Sequence, residues 1–434
     1  MATGNLASVA TPPSLKRNVS WYFAGHLVHS LAQWGTFAGL AKLGSVEHVG
    51  VLALALATTT PLFTFLNLQL RGIVATDAAN KYGFSLVWSV RCATSVVALL
   101  VGLAFSWLFG STNEATITIA LIALGKSIES LSDVIHGRIQ REERLDWIAR
   151  TMALRGGISF LLFMGAYVLS SSIAFAAAAQ SFAAAAVLLA LDIPALRKIS
   201  PRDEANGSTQ ISLKLAMPSI SSLISLLRSA VPLGSVLLLY SFAQNMPRYA
   251  LEKYVGLAEL GIFAALAHFI SAAAVLVSSL TNAAGPRLAK CIHMGDIRKF
   301  FLILHRLYAV IGCLLLAGMV VVVLAGRPMV RLLMGAEVAK HSALLVPLAI
   351  GGCLLFATSV AGVGLTAAGV HRQQLPLALL AAILSAISSA YLIPRFGLSG
   401  APVVLIVTYG ACLIASHAVL LLKVRGSLRR IVEI

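Results

Sequence analysis

Twelve apolar runs, each about as long as a bilayer is thick, leave this sequence few ways to fold. A hydrocarbon core of about 30 Å needs roughly 20 apolar residues of helix. Runs of that kind fall near 18–40, 49–70, 85–109, 115–136, 151–169, 172–194, 225–245, 258–283, 301–325, 342–368, 374–393 and 399–422. Lipid offers no partner for backbone polar groups, so such runs must be helices that satisfy themselves internally. Composition agrees, with 59% hydrophobic and 11% charged residues, where soluble domains carry about 25% charged residues. The expectation is an all-α polytopic membrane protein of about twelve transmembrane helices.

Basic residues outside the runs set the orientation. With the N-terminus placed in the cytoplasm, Lys and Arg in the inside segments outnumber those in the outside loops roughly three to one, so both termini are expected to be cytoplasmic. The net charge of +17 would raise nucleic acid as a partner of a soluble protein. Here the basic residues sit in short loops without interleaved aromatics, and no nucleic-acid partner is expected. The charge instead orients helices and meets anionic lipid or substrate. Cys92, Cys291, Cys313, Cys353 and Cys412 form no C-x-x-C pair, which points away from a disulfide framework or metal site and toward small core residues. Lys16 and Arg17 precede a long apolar run with no small-residue cleavage site, so the first run reads as a membrane helix rather than a removable signal.

The runs divide into an N-terminal six-helix lobe (1–196), a cytoplasmic linker with an interfacial segment (197–224) and a C-terminal six-helix lobe (225–434). The stretch 213–227 is amphipathic and is expected to lie along the membrane surface. Short echoes link the halves: Gly137-Arg138 with Gly369-Val370, Val187-Leu188-Leu189 with Val419-Leu420-Leu421, and Gly44-Ser45-Val46-Glu47 with Gly256-Leu257-Ala258-Glu259. Six is an even number, so both halves would enter the membrane in the same direction, as a parallel duplication.

Enzyme signatures are scarce. Gly125-Lys126-Ser127 resembles the end of a phosphate-binding loop, but Ala120 stands where its first glycine would be and the stretch lies inside an apolar run. There is no H-E-x-x-H and no G-x-S-x-G, and neither catalytic residues, a metal nor a cofactor is expected. Charges inside the membrane say more, because each costs several kcal/mol, about 2.5–3.5 on insertion scales, unless it meets a partner or a wet cavity. Arg91 and Lys126 lie deep enough to line such a cavity. Lys126, Glu129 and Asp133, with Ser130 beside them, share one face of a helix; an internal Lys126–Glu129 ion pair is the alternative. Arg155 and Arg228 are shallow enough to snorkel. Arg248, with Lys253, follows Pro247 at the outer end of the seventh run, as an outer anion contact or a solvated loop charge. Together these predict a cavity biased to positive charge.

Three stretches carry a family resemblance: Lys126-Ser127-Ile128-Glu129-Ser130-Leu131-Ser132-Asp133 with Gly137, Gln140 and Arg155-Gly156; Met246-Pro247-Arg248-Tyr249-Ala250-Leu251-Glu252 with Glu259-Leu260-Gly261; and Pro286-Arg287-Leu288-Ala289 with Gly295-Asp296 and Phe300. In them the chain resembles the polysaccharide-specific transporter branch of the multidrug/oligosaccharidyl-lipid/polysaccharide (MOP) exporter superfamily. The resemblance implies a flippase of the bacterial inner membrane. Such a protein moves a polyprenyl-diphosphate-linked oligosaccharide (O-antigen, capsule or exopolysaccharide unit) to the periplasmic leaflet by alternating access of two lobes. Membrane lipid and polysaccharide polymerase or export machinery are the partners it implies. Arg91, Lys126, Arg228 and Arg248 would then meet the diphosphate and head-group, and Glu129 or Asp133 would couple a cation. Twelve runs rather than fourteen leave no extra helix pair for a lateral groove. Two rivals are a cation-coupled drug exporter of the same superfamily and a membrane enzyme of polysaccharide assembly, for which the outside loops are short.

Overall fold

A computed structural model describes residues 15–77, 82–199, 213, 219–370 and 372–432, and no strand occurs among them. Twelve long helices account for most of the described chain: α1 (Leu15–Leu43), α2 (Val46–Thr76), α3 (Phe84–Phe109), α4 (Asn113–Arg141), α5 (Leu145–Ser170), α6 (Ile173–Ile199), α7 (Ile220–Tyr254), α8 (Leu257–His293), α9 (Ile297–Met334), α10 (Ser342–Ala367), α11 (Gln374–Phe396) and α12 (Gly400–Val432). By length and apolarity nine described stretches can cross a membrane, ten with α8, whose two parts bend by 44°. One of the nine, Gln374–Leu422, joins α11 to most of α12, and α1 stands outside the set. Many large apolar side chains face outward, Leu169 and Trp107 among them at 86% and 84% exposure. In water that surface would drive association; in lipid it is matched by its solvent.

Helix starts follow sequence chemistry. The Thr112 hydroxyl accepts from the Ala115 amide to open α4, Ser172 does the same for Phe175 in α6, and the Asp296 carboxylate accepts from Lys299 in α9. Each satisfies an amide that the first turn leaves without a helical partner. Glu114, in the first turn of α4, also accepts from the Ile173 amide at 3.1 Å, pinning the starts of α4 and α6 together.

Packing sorts the chain into two units. The first comprises residues 1–36 and 62–234, the second 37–61 and 235–434. These packing units do not follow the chain-order lobes 1–196 and 225–434; at the edges of the linker, α6 runs to Ile199 and α7 begins at Ile220. Residues 220–227 are the first turns of the 35-residue α7, a correction to the separate surface segment expected at 213–227. A continuous apolar helix satisfies its own backbone, so nothing breaks it there. The rest of the linker, with Asn206-Gly207, lies outside the described residues.

In the first unit α4 packs against α2, α3 and α6, and α5 against α6. In the second α10 packs against α8, α9 and α12, and α11 against α12. The pattern recurs six helices later, as a parallel duplication requires. Of the sequence echoes, Glu47 and Glu259 occupy matching first turns of α2 and α8. Gly137 and Gly369 do not match: the first lies inside α4, and the second follows α10 with φ +71°. Within the second unit α2 and α8 cross so closely that a Cβ on Gly50 would stand 1.9 Å from the Leu257 carbonyl oxygen, and one on Gly261 1.8 Å from that of Val46. The two glycines lie 211 positions apart, as do the two residues whose carbonyls they meet, so the contact is reciprocal.

Candidate functional site: a polar cavity in the first unit

The apolar first unit encloses a polar cavity of about 230 Å³, lined by His29 of α1, Phe63, Asn67 and Arg71 of α2, Lys126, Glu129, Ser130, Asp133 and His136 of α4, and Met152 and Arg155 of α5. Helical spacing explains α4's share. Positions 126, 129, 130, 133 and 136 recur every three or four residues and so stack on one face. The polar stripe read from the sequence is thus the cavity wall, extended by one further turn to His136. Among the described residues Lys126 and Glu129 make no direct hydrogen bond or ion pair, though the two charges act on each other, and both line the cavity.

Behind the wall sits a buried ion network. Asp192, fully buried at the end of a π-helical turn (Leu188–Asp192), receives Arg155 Nη2 at 2.5 Å and His136 Nε2 at 2.9 Å. A carboxylate only accepts, so His136 Nε2 carries the proton it donates; Thr151 Oγ1 lies 3.2 Å from the same nitrogen. Arg155 therefore turns inward rather than snorkelling, because a buried carboxylate outbids the distant interface.

A second cavity of about 480 Å³ adjoins the first and shares Asn67, Arg71 and Asp133 with it; Tyr22, Thr64, Gln69, Gly72 and Gln140 complete its lining. Here α2 is broken. Leu68 and Gln69 take left-handed φ of 49° and 51°, a conformation that costs roughly 1–2 kcal/mol in a side-chain-bearing residue. The break turns the Asn67 carbonyl oxygen toward Arg91, whose Nη2 donates to it at 3.0 Å while Nη1 donates to the Asn67 side chain. A cation at the end of a helix also favours the exposed carbonyls there.

These positions revise the sequence expectations. Arg91 does not line either cavity: it is fully buried, tied to Asn67 and, at 3.6 Å, to Asp133. Arg228 is exposed on α7 and belongs to neither cavity. Arg248 is not an outer-loop residue but part of α7, half-buried in the second unit, where its Nη1 donates to Asn245 at 2.6 Å. Lys126, Glu129 and Asp133 are brought together as expected. The cavity is less cationic than predicted: Arg71, Lys126 and Arg155 face Glu129 and Asp133, with Asp192 directly behind. Asn67, Arg71, His29, His136 and Asp192 were missed. His136 continues the α4 stripe, and Asp192 is an isolated acid at the end of an apolar run, so both carried a signal; Arg71 carried none. Among the described residues no three His, Cys, Asp or Glu side chains come together as metal ligands would.

Comparisons with known proteins place this arrangement in a family. Residues 15–292 match the family described as polysaccharide biosynthesis protein. A capsular polysaccharide biosynthesis protein, CapF, of Staphylococcus aureus is 25% identical over 405 residues, covering 92% of this chain and 98% of its own. Among solved structures, a multidrug-resistance MATE transporter of the MOP superfamily in its inward-facing conformation aligns with TM-score 0.75 at 16% identity, over 92% of this chain and 95% of that one. A MOP superfamily transporter from Pyrococcus furiosus, noted for reverse polarity of its binding pocket, aligns with TM-score 0.66 at 17% identity, over 94% and 95%. The family match extends over well over half of the sequence, and the fold is the one those MOP superfamily transporters have: the chain belongs to the polysaccharide biosynthesis protein family.

Proposed function

We propose that the protein is a flippase of the bacterial inner membrane, both termini cytoplasmic, that carries a polyprenyl-diphosphate-linked oligosaccharide to the outer leaflet by alternating access. The observation that carries the reading is a polar cavity of mixed charge, net positive by one among its lining side chains, inside an apolar helical unit of a polysaccharide-family protein. A diphosphate with several sugars cannot cross about 30 Å of hydrocarbon unaided, whereas its lipid tail never has to leave it. The protein's task is then to shelter the head-group. No covalent chemistry is required, in keeping with the absence of enzyme motifs from the sequence.

In this reading Lys126 and Arg71 meet the diphosphate first, and Arg91, fastened to the α2 break behind Asp133, is reached only where that carboxylate gives way. Glu129, without an ion pair, is the carboxylate free to take up a coupling cation. The substrate class is that suggested by the capsule-assembly relative, and polymerase or export machinery is the downstream partner. A second reading, cation-coupled drug export, draws on the MATE fold. The lining charge argues against it, because a cationic drug would meet three basic side chains and two acidic ones.

The test is Lys126→Ala, assayed by the rate at which lipid-linked units become accessible outside cells lacking the native protein. A lost charge-assisted contact is worth about 1.5–3 kcal/mol, or about 10- to 100-fold at about 1.4 kcal/mol per decade. We expect a loss of that size with folded protein retained. Wild-type transport by Lys126→Ala, and by the Arg91→Ala Lys126→Ala pair, would remove the cavity from the mechanism.

A further inference from the structure

Between the two cavities of the first unit stands one contact. Arg71 Nη1 lies 3.5 Å from Asp133 Oδ1, and Arg91 Nη2 lies 3.6 Å from Asp133 Oδ2. Asp133, Arg71 and Asn67 are the side chains that line both cavities, so this contact lies where the two adjoin. Both separations exceed the 2.7–2.9 Å of a tight charged hydrogen bond, by roughly 0.7 Å. One carboxylate is shared loosely between two guanidinium groups that together offer ten N–H donors in rigid forks.

The arginines are held independently of that carboxylate. Gly137, one turn beyond Asp133 on α4, admits the Arg71 backbone: a Cβ there would stand 2.8 Å from the Arg71 carbonyl oxygen. Farther along the same face Gln140 Oε1 accepts from Arg71 at 3.4 Å, and the Tyr22 hydroxyl accepts at 3.1 Å. Arg91 is fastened to both oxygens of Asn67. It is 0% exposed, and its Nε finds no acceptor, although buried donors are almost always paired. Two fixed cations, one with an unused buried donor, aimed at a single loosely held acid describe an anion site already filled from within.

We propose that Asp133 occupies, in the unliganded protein, the place of a phosphate group, and that a phosphate of the ligand displaces it from Arg71 and Arg91 and so opens the two cavities into one. The proposal rests on the flippase reading for its ligand, a diphosphate. Phosphate suits the site better than a second carboxylate would, because it brings more acceptor oxygens and more negative charge to two guanidinium forks than the two oxygens of a carboxylate. Asp133 becomes a positioning residue: it keeps the two cavities apart and sets how tightly the ligand is held, so that release remains possible.

The experiment is calorimetric titration of purified full-length protein, in uncharged detergent at fixed ionic strength, with inorganic pyrophosphate. Asp133→Asn removes the internal competitor while keeping the side chain's shape, and is expected to bind about tenfold more tightly than wild type, with slower glycan transport in cells. Arg71→Gln is expected to bind about tenfold more weakly. Affinity of Asp133→Asn equal to or below that of wild type overturns the proposal; should that variant fail to fold by gel filtration, unchanged affinity in Arg71→Gln overturns it equally. Competition separates the sources of phosphate. Displacement of pyrophosphate by polyprenyl diphosphate alone assigns the site to the substrate, and displacement by phosphatidylglycerol as well assigns it to lipid phosphate in general. Tighter binding by Asp133→Asn in a protein that proves not to move glycans would keep the site and remove the flippase reading; normal glycan transport with unaltered pyrophosphate affinity would do the reverse.

Discussion

Asp192→Ala should destabilise the protein by about 3–5 kcal/mol, the range for removing one partner of a buried ion pair. The carboxylate is fully buried and receives both Arg155, at 2.5 Å, and His136, at 2.9 Å. Its removal leaves the Arg155 guanidinium, whose Nε already lacks an acceptor, desolvated and unanswered. The loss should be smaller in Asp192→Ala Arg155→Leu, because replacing both members with apolar groups is often close to neutral. The two single variants and the double variant form a cycle that isolates the pair. Heat challenge followed by gel filtration in detergent checks it: the single variant should lose folded protein first. Equal survival of Asp192→Ala and wild type would mean that water reaches the network.

Gly261→Val is the second large effect. With α2 and α8 crossing backbone against backbone, a Cβ at Gly261 would stand 1.8 Å from the Val46 carbonyl oxygen and 2.9 Å from the Gly50 amide nitrogen, both below the 3.0 Å that real Cβ atoms respect. Neither neighbour is a side chain that can swing aside, so the helices must part along the whole crossing. Overpacking costs typically about 1–3 kcal/mol, occasionally more, and this site belongs at or above the top of that range. Gly50→Val should behave alike, since its Cβ would stand 1.9 Å from the Leu257 oxygen. Gly312→Ala is the contrast: nothing lies within 4 Å of an added Cβ there, and a helix interior gains up to about 1 kcal/mol on that change. The yield of monodisperse protein should collapse for the first two and hold for the third. Equal yields for all three would show that α2 and α8 do not cross as described.

What was legible in the sequence follows from what is local. Helix positions could be read because a span in lipid is recorded as a run of apolar residues, and the α4 stripe because 3.6-residue periodicity converts spacing into a shared face. Side-chain direction at depth could not be read this way. Arg155 sits close enough to an interface to snorkel, yet turns inward because Asp192, 37 residues later, waits on α6. Arg91 looked like a cavity residue because it is deep; it is instead consumed by Asn67 and Asp133. The break in α2 left no mark, since Leu68 and Gln69 are poor left-handed residues, and the residue before them, Asn67, is tied to Arg91 of α3. Arg248 was misplaced because Pro247 read as the end of a helix that runs on to Tyr254.

The flippase account gives these features one purpose. The apolar exterior matches lipid, the α4 stripe with Arg71 builds a polar interior, and Asp192 behind the wall braces its His136 and Arg155. Among the described charges of the first unit, Arg91, Arg155 and Asp192 thus have partners, and Lys126 and Glu129 have the cavity, as the insertion cost demands.

The most direct measurement of the central claim is the leaflet in which the substrate resides. Lipid-linked oligosaccharide is labelled metabolically in cells lacking the protein, and a membrane-impermeant reagent is applied from the periplasm. The account predicts that single units accumulate beyond the reagent's reach and that the intact gene restores access. Normal access without the protein would contradict it and would leave export of a small molecule as the function to pursue.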